Sequence, residues 1–144
     1  MAQDAIAIAS DHAGFEVKEE VARLLAELGH GVVDLGPNGQ ESVDYPDFAD
    51  AMAAALADGR AKRGILVCGT GIGISIAANR HRHVRAARSC DATDARLARQ
   101  HNDANVLVLG SRTSGWETAR DCVLAFLNTE FEGGRHQRRI DKMS

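Results

Sequence analysis

No Cys-x-x-Cys pair, no cluster of His and Cys, and no apolar run of membrane-spanning length occurs in this sequence. The first two absences argue against a structural metal centre, and none is expected. The third, with no stretch resembling a secretion signal, leads to the expectation of a cytoplasmic protein that does not engage membranes. The three cysteines, an odd number without paired spacing, fit free thiols in a reducing compartment. A large excess of charge is missing too. The formal net charge is −3, which argues against nucleic acid as a partner. Nucleotide loops fail as well: where a P-loop needs Lys followed by Ser or Thr, the chain has Ile74-Ser75. A dinucleotide fingerprint would open the first helix, which here follows Asp11-His12-Ala13-Gly14. Repeats, low-complexity linkers and domain boundaries are absent, so residues 1–144 read as one domain, with 129–144 a polar, basic tail.

What is present suits a soluble core, with 44% hydrophobic and 26% charged residues. Short apolar runs at Ala5–Ala9, Val32–Leu35, Ile65–Val67 and Asn105–Gly110, with a weaker one at Arg85–Ser89, predict five strands. Between them, Phe15, Val17, Val21, Leu24, Leu25 and Leu28 recur at helical spacing. An Ala-rich helix is expected over about Asp47 to Ala57, and further helices over Ile74–Ala78, Ala92–Gln100 and from Ser114 onward. Alternation of this kind implies a parallel sheet covered on both faces: a three-layer α/β/α Rossmann-like (flavodoxin-like) fold. Ligands then bind outside the carboxyl ends of the strands. Asp11 and His12, the loop carrying Tyr45, Cys68 with its glycine turn, and Ser111-Arg112 all fall at that edge.

The centre of the pattern is Gly64 to Asn79, where a buried strand delivers Cys68 into Gly69-Thr70-Gly71-Ile72-Gly73 and then a helix. A helix amino end favours a thiolate. The amides of the turn suit a phosphate or an oxygen that becomes negative during reaction. Thiolate and anion hole together fit proton abstraction next to a carbonyl, although a Cys at a strand end is often only a small hydrophobe. Cys90 and Cys122 read as structural. His101, in a polar corner, suits proton shuttling; His12 beside Asp11 also suits capping of the first helix, and His30, His81 and His83 read as solvated loop residues. Arg135 and Arg139 are four apart, one face of a helical turn, and with Arg112 would grip a small dianion. Without aromatic partners, an Arg cluster is poor evidence for nucleic acid.

Taken together, Ser10-Asp11-His12-Ala13-Gly14, Asp44-Tyr45-Pro46, Cys68-Gly69-Thr70-Gly71-Ile72-Gly73-Ile74-Ser75, Arg99-Gln100-His101-Asn102, Gly110-Ser111-Arg112 and Glu132-Gly133-Gly134-Arg135-His136 resemble ribose-5-phosphate isomerase type B. Galactose-6-phosphate isomerase subunits share that family. The resemblance spans nearly the whole chain and implies a metal- and cofactor-independent aldose–ketose isomerase working through a cis-enediolate. It implies Cys68 as the base, with Thr70 and His101 assisting ring opening. It further implies the backbone of Gly69, Gly71, Ile72 and Gly73 as the anion hole, and Asp11, His12, Tyr45 and Asn102 at substrate hydroxyls. Arg112, Arg135 and Arg139 would hold the phosphate, while Arg138 has no assigned counterpart. Family members are dimers or tetramers, so a homodimer or tetramer is expected, with His101 and part of the phosphate grip supplied by the neighbouring subunit. One branch uses a Glu instead of the Cys; Ile74 stands at that place here, which favours the Cys branch. The alternatives are a six-carbon substrate (allose or galactose 6-phosphate) and, from another class, a non-catalytic flavodoxin-like binding module.

Overall fold

The computed structural model describes residues 3–144. Five parallel strands, β1 (Gln3–Ser10), β2 (His30–Asp34), β3 (Arg63–Cys68), β4 (Ala86–Arg88) and β5 (Val106–Gly110), form one sheet in the order β2-β1-β3-β5-β4. Around them lie α1 (Phe15–Glu27), α2 (Tyr45–Ala57), α3 (Ile72–Ala78), α4 (Ala92–Asn102), α5 (Trp116–Asn128) and α6 (Arg135–Met143). The expected α/β/α fold is present. Its last two strands depart from the flavodoxin order 2-1-3-4-5, because β5 inserts between β3 and β4.

Handedness explains which helices lie where. Right-handed crossovers put helices on one face when the chain moves one way along the sheet and on the other when it reverses. The moves β2 to β3 and β3 to β4 share a direction, so α2 and α3 share a face. The moves β1 to β2 and β4 to β5 run the other way, and α1 and α4 cover the opposite face, joined by α5. Side chains alternate accordingly. Ile6, Ile8, Ile65, Val67, Leu107 and Leu109 pack against Val21, Leu25, Val123 and Phe126 of α1 and α5. Ala7, Ala9, Leu66, Cys68 and Val108 meet Ala49, Met52, Ala53, Ile74 and Ala78 of α2 and α3. The second face is built mostly from small residues and contains the sulfur of Cys68.

Several expected boundaries shift for identifiable reasons. Helix α2 starts at Tyr45 rather than Asp47, since Asp44 has extended backbone and Pro46 sits in the first turn, where its missing N–H costs nothing. Helix α4 runs two residues past Gln100, to Asn102. It begins where the Asp91 carboxylate accepts from the Asp94 N–H and ends where Asp103 turns left-handed at φ 44°. The segment expected as a basic tail contains α6. His136 and Ile140, four apart, are its buried stripe, while Arg135, Arg138 and Arg139 face outward.

Candidate active site

The carboxyl edge of the sheet is knitted together by backbone bonds. Asp11 N–H donates to the Val67 carbonyl at 3.1 Å, Ser111 N–H to Cys68 at 2.9 Å and Arg112 N–H to Gly69 at 2.8 Å. Ser111 Oγ also reaches the Ala13 carbonyl at 2.9 Å, tying the loop after β5 to the loop after β1. The loops frame an open cleft of about 430 Å³ lined by Asp11, His12, Ala13, Tyr45, Cys68, Gly69, Thr70, Ile72, Gly73 and Arg112. That volume suits a small ligand.

Each lining group is held by a local contact. Asp11 Oδ1 accepts from Gly14 N–H at 2.9 Å, closing the turn into α1. His12 Nδ1 accepts from Val43 N–H at 3.1 Å, so a neutral ring carries its proton on Nε2. The Tyr45 ring lies over Gly73, where a Cβ would stand 2.6 Å from Cζ. The Arg112 side chain lies over Gly69 in the same manner, 3.5 Å from where a Cβ would be. Gly71 adopts φ 77°, a conformation that L side chains rarely take. Its N–H donates to Cys68 Sγ at 3.1 Å. Ile72 N–H donates to Thr70 Oγ1 at 3.1 Å, so this hydroxyl accepts from the turn and keeps its own proton to donate. The amides of Gly73 and Ile74 precede the first intrahelical bond, Ser75 N–H to Gly71 O, and have no acceptor within α3. Cys68 itself is 4% exposed, packed below and open to the cavity above.

The remaining expected residues lie elsewhere. Helix α4 runs antiparallel to the strands and carries His101 and Asn102 to the amino edge of the sheet. There Arg85 Nε donates to the carbonyls of Asn102 and Asp103, both at 3.1 Å. Arg99 donates to Asp103 Oδ1 at 2.8 Å and to the Thr129 carbonyl at 3.1 Å, which brings the segment leading to α6 alongside. His101, Asn102, Arg135 and Arg139 therefore form a second group, which one chain does not bring to the Cys68 cavity. From Gly64, level with the start of β5, to Cys68 is four strand steps, about 13 Å.

His136, to which the sequence assigns no role, stacks on His101 with ring centroids 4.5 Å apart and planes 15° from parallel. Its Nε2 is buried without a hydrogen-bond partner. Burial first, then the charges of Arg135 and His101, hold its pKa below the ordinary imidazole value. Its 3.6 Å approach to Glu132 is accordingly a contact between a neutral ring and a carboxylate at neutral pH. His101, Glu132 and His136 offer ligand atoms within 4.8 Å of one another. Parallel rings, however, send their lone pairs side by side rather than to one point, a poor arrangement for a tetrahedral ion. A reading at i, i+4 would have paired His136 with Ile140 as the inward face of a helix.

The other cysteines and histidines are partly reassigned. Cys122 is buried, as expected, and burial with nearby carboxylates pushes its pKa up to about 11. Cys90 is exposed at the head of α4 rather than structural, although its N–H donates to Asp94 at 3.0 Å. His30, His81 and His83 are not free loop residues. His30 begins β2 and bonds the Asp4 carbonyl at 3.0 Å, while His81 and His83 reach Asp50 and the Ala53 carbonyl, each at 2.8 Å.

Fold and edge together define an α/β enzyme of the kind that works on a small anionic substrate, with a thiol set among backbone amides and a guanidinium. Comparison with known proteins narrows this. Residues 6–143 match the model of the Ribose/Galactose Isomerase family. Ribose-5-phosphate isomerase B of Escherichia coli is 47% identical over 139 residues, 96% of this chain and 93% of that protein. A putative sugar phosphate isomerase of Bacillus subtilis is 46% identical over 140 residues, 96% and 94% of the two chains. The solved ribose 5-phosphate isomerase of Thermotoga maritima superposes with TM-score 0.96 at 52% identity, covering 98% of this chain and 97% of the other. Ribose-5-phosphate isomerase B of Mycoplasma genitalium, solved with bound ribulose-5-phosphate, gives 0.92 at 46%, covering 96% and 93%. The chain belongs to the ribose/galactose isomerase family.

Proposed function

We propose that this protein interconverts ribose 5-phosphate and ribulose 5-phosphate, with residues 1–144 acting as one isomerase domain. The observation that carries the reading is the Cys68 sulfur, held at 3.1 Å by a glycine amide at the floor of a cavity that also presents His12, Tyr45, Thr70 and Arg112. In this reading His101 gives a proton to the ring oxygen while Thr70 relays the one leaving the anomeric hydroxyl. Cys68 then lifts the proton from C2 of the open aldose. The amides from Gly69 to Gly73 receive the charge that grows on the enediolate oxygens; the carbon-bound proton returns to C1 while the O2 hydroxyl proton passes to O1. Asp11, His12, Tyr45 and Asn102 hold hydroxyls, and Arg112, Arg135 and Arg139 hold the phosphate. The separation of the two residue groups in one chain supports a further element: His101, Asn102, Arg135 and Arg139 come from a second copy, in a homodimer or tetramer. The three free thiols support a cytoplasmic setting.

The test is a coupled assay of purified protein with ribose 5-phosphate, run beside allose 6-phosphate and galactose 6-phosphate. A higher kcat/KM on the five-carbon substrate is expected, and the reverse order reassigns the enzyme to six-carbon phosphates. Cys68→Ala is expected to abolish solvent exchange at C2 while phosphate binding survives. Exchange at the parent rate in that variant removes the thiol from the mechanism.

A further inference from the structure

One peptide unit of the glycine turn is gripped at both ends. Its carbonyl, on Thr70, accepts from Arg88 Nε at 2.8 Å. Its N–H, on Gly71, donates to Cys68 Sγ at 3.1 Å. The two ends belong to one conjugated plane. A cation on the oxygen draws electron density from the nitrogen, and hydrogen bonds linked in this way strengthen one another. We propose that Arg88 is a positioning residue for Cys68, which it serves through the Thr70–Gly71 peptide by fixing that plane and sharpening the N–H donor that meets the sulfur. This assignment rests on the reading of Cys68 as the base.

The fold explains how Arg88 gets there. It is the last residue of β4, the edge strand, with β5 between it and β3. The strand between ends at Gly110, and a Cβ there would stand 2.6 Å from the Thr70 carbonyl oxygen. Glycine at 110 therefore lets the carbonyl lie over the end of β5, within reach of the guanidinium beyond. Arg88 does not line the cavity, whereas Arg112 does. The two arginines thus separate into one that serves the turn from behind and one placed to meet the substrate. The other titratable groups around the sulfur are Asp11 and His12 from the loop after β1 and Tyr45 from α2; α3 contributes none.

The experiment reads the thiol directly. In a Cys90→Ser, Cys122→Ala background, Cys68 is the remaining thiol and the sulfur that reports. Iodoacetamide alkylation, which takes the thiolate, and thiolate absorbance are followed against pH in the parent, Arg88→Met and Arg88→Lys. In Arg88→Met, alkylation at neutral pH is expected to slow by about three- to tenfold, the loss of one charge-assisted link in a polarised chain. Its profile moves to higher pH, kcat falls in step, and KM for the sugar phosphate stays near the parent value. Arg88→Lys recovers part of the loss. Arg88→Gln is a second uncharged probe should methionine disturb folding. An unchanged pH profile in a folded, uncharged variant overturns the proposal, even if its melting temperature drops. A parent protein without isomerase activity, whose alkylation still depends on Arg88, refutes the isomerase reading and leaves the relay standing.

Discussion

Cys68 and His101 stand at opposite edges of one sheet, whose strand β3 runs about 13 Å from Gly64 to Cys68. If they serve one reaction, they do so across two copies, and mixing defective chains should restore what neither has alone. Cys68→Ala and His101→Asn homodimers are each expected to be nearly inactive. In a mixed dimer, one site receives both defects and the other receives neither. Random assortment of equal amounts makes half the dimers mixed, and each has one intact site of two, so recovery approaches about one quarter of the parent activity for a two-fold dimer. The assay is the coupled ribose 5-phosphate assay after unfolding and refolding the two variants together, with each refolded alone as the baseline. A chain carrying both substitutions, refolded with Cys68→Ala or with His101→Asn, supplies no intact site and should stay at baseline. No recovery in the first mixture, with mixed dimers verified by differential tagging, would refute the shared site.

Two glycines should respond to alanine in opposite ways. At Gly14 the new Cβ would meet the Val67 carbonyl oxygen at 2.6 Å; backbone cannot step aside, and a loss of about 1–3 kcal/mol in urea unfolding is expected. At Gly73 it would meet the half-exposed Tyr45 ring, which swings away. There stability should hold or rise by up to about 1 kcal/mol from helix propensity, while KM rises several-fold as Tyr45 leaves its place. For Cys122, the folded thiol loses its proton near pH 11 and the unfolded one near 9.0, so above the lower value the unfolded state binds fewer protons. Its contribution is complete below pH 9.0 and fades between 9.0 and about 11. Urea midpoints at the two ends of that window should fall less in Cys122→Ala than in the parent, and equal falls would remove the thiol as a cause.

Much of the carboxyl edge was legible in the chain because its signals are local. A buried run ending in Cys68, glycines at every second position and a strand-to-helix order name a turn with amides before any fold is built. The strand order was not legible, since β4 spans only Ala86–Arg88 and its partner is chosen by handedness and packing rather than by its own pattern. Helix α6 was half visible: Arg135 and Arg139 show the spacing, but only the inward pair, His136 and Ile140, says that the segment docks. The start of α4 was local in the same way, since Asp91 directly precedes Ala92 and its carboxylate bonds the first turn. Arg88 had no signal in the sequence. Its contact with Thr70 joins residues eighteen apart and exists only because a glycine ends the strand between them.

The layer beneath the sulfur, with Ala7, Ala9, Ala49, Ala53, Ala55 and Ala78 at its heart, leaves no room to grow. The opposite layer, rich in isoleucine, leucine, valine and phenylalanine, has volume to give up and to regain. Engineers seeking a hardier catalyst should therefore spend their library on that far side, where volume-conserving swaps among large aliphatic residues can be absorbed by their neighbours. On the alanine side a single added methyl would be transmitted through α2 or α3 to the thiol and felt as lost turnover.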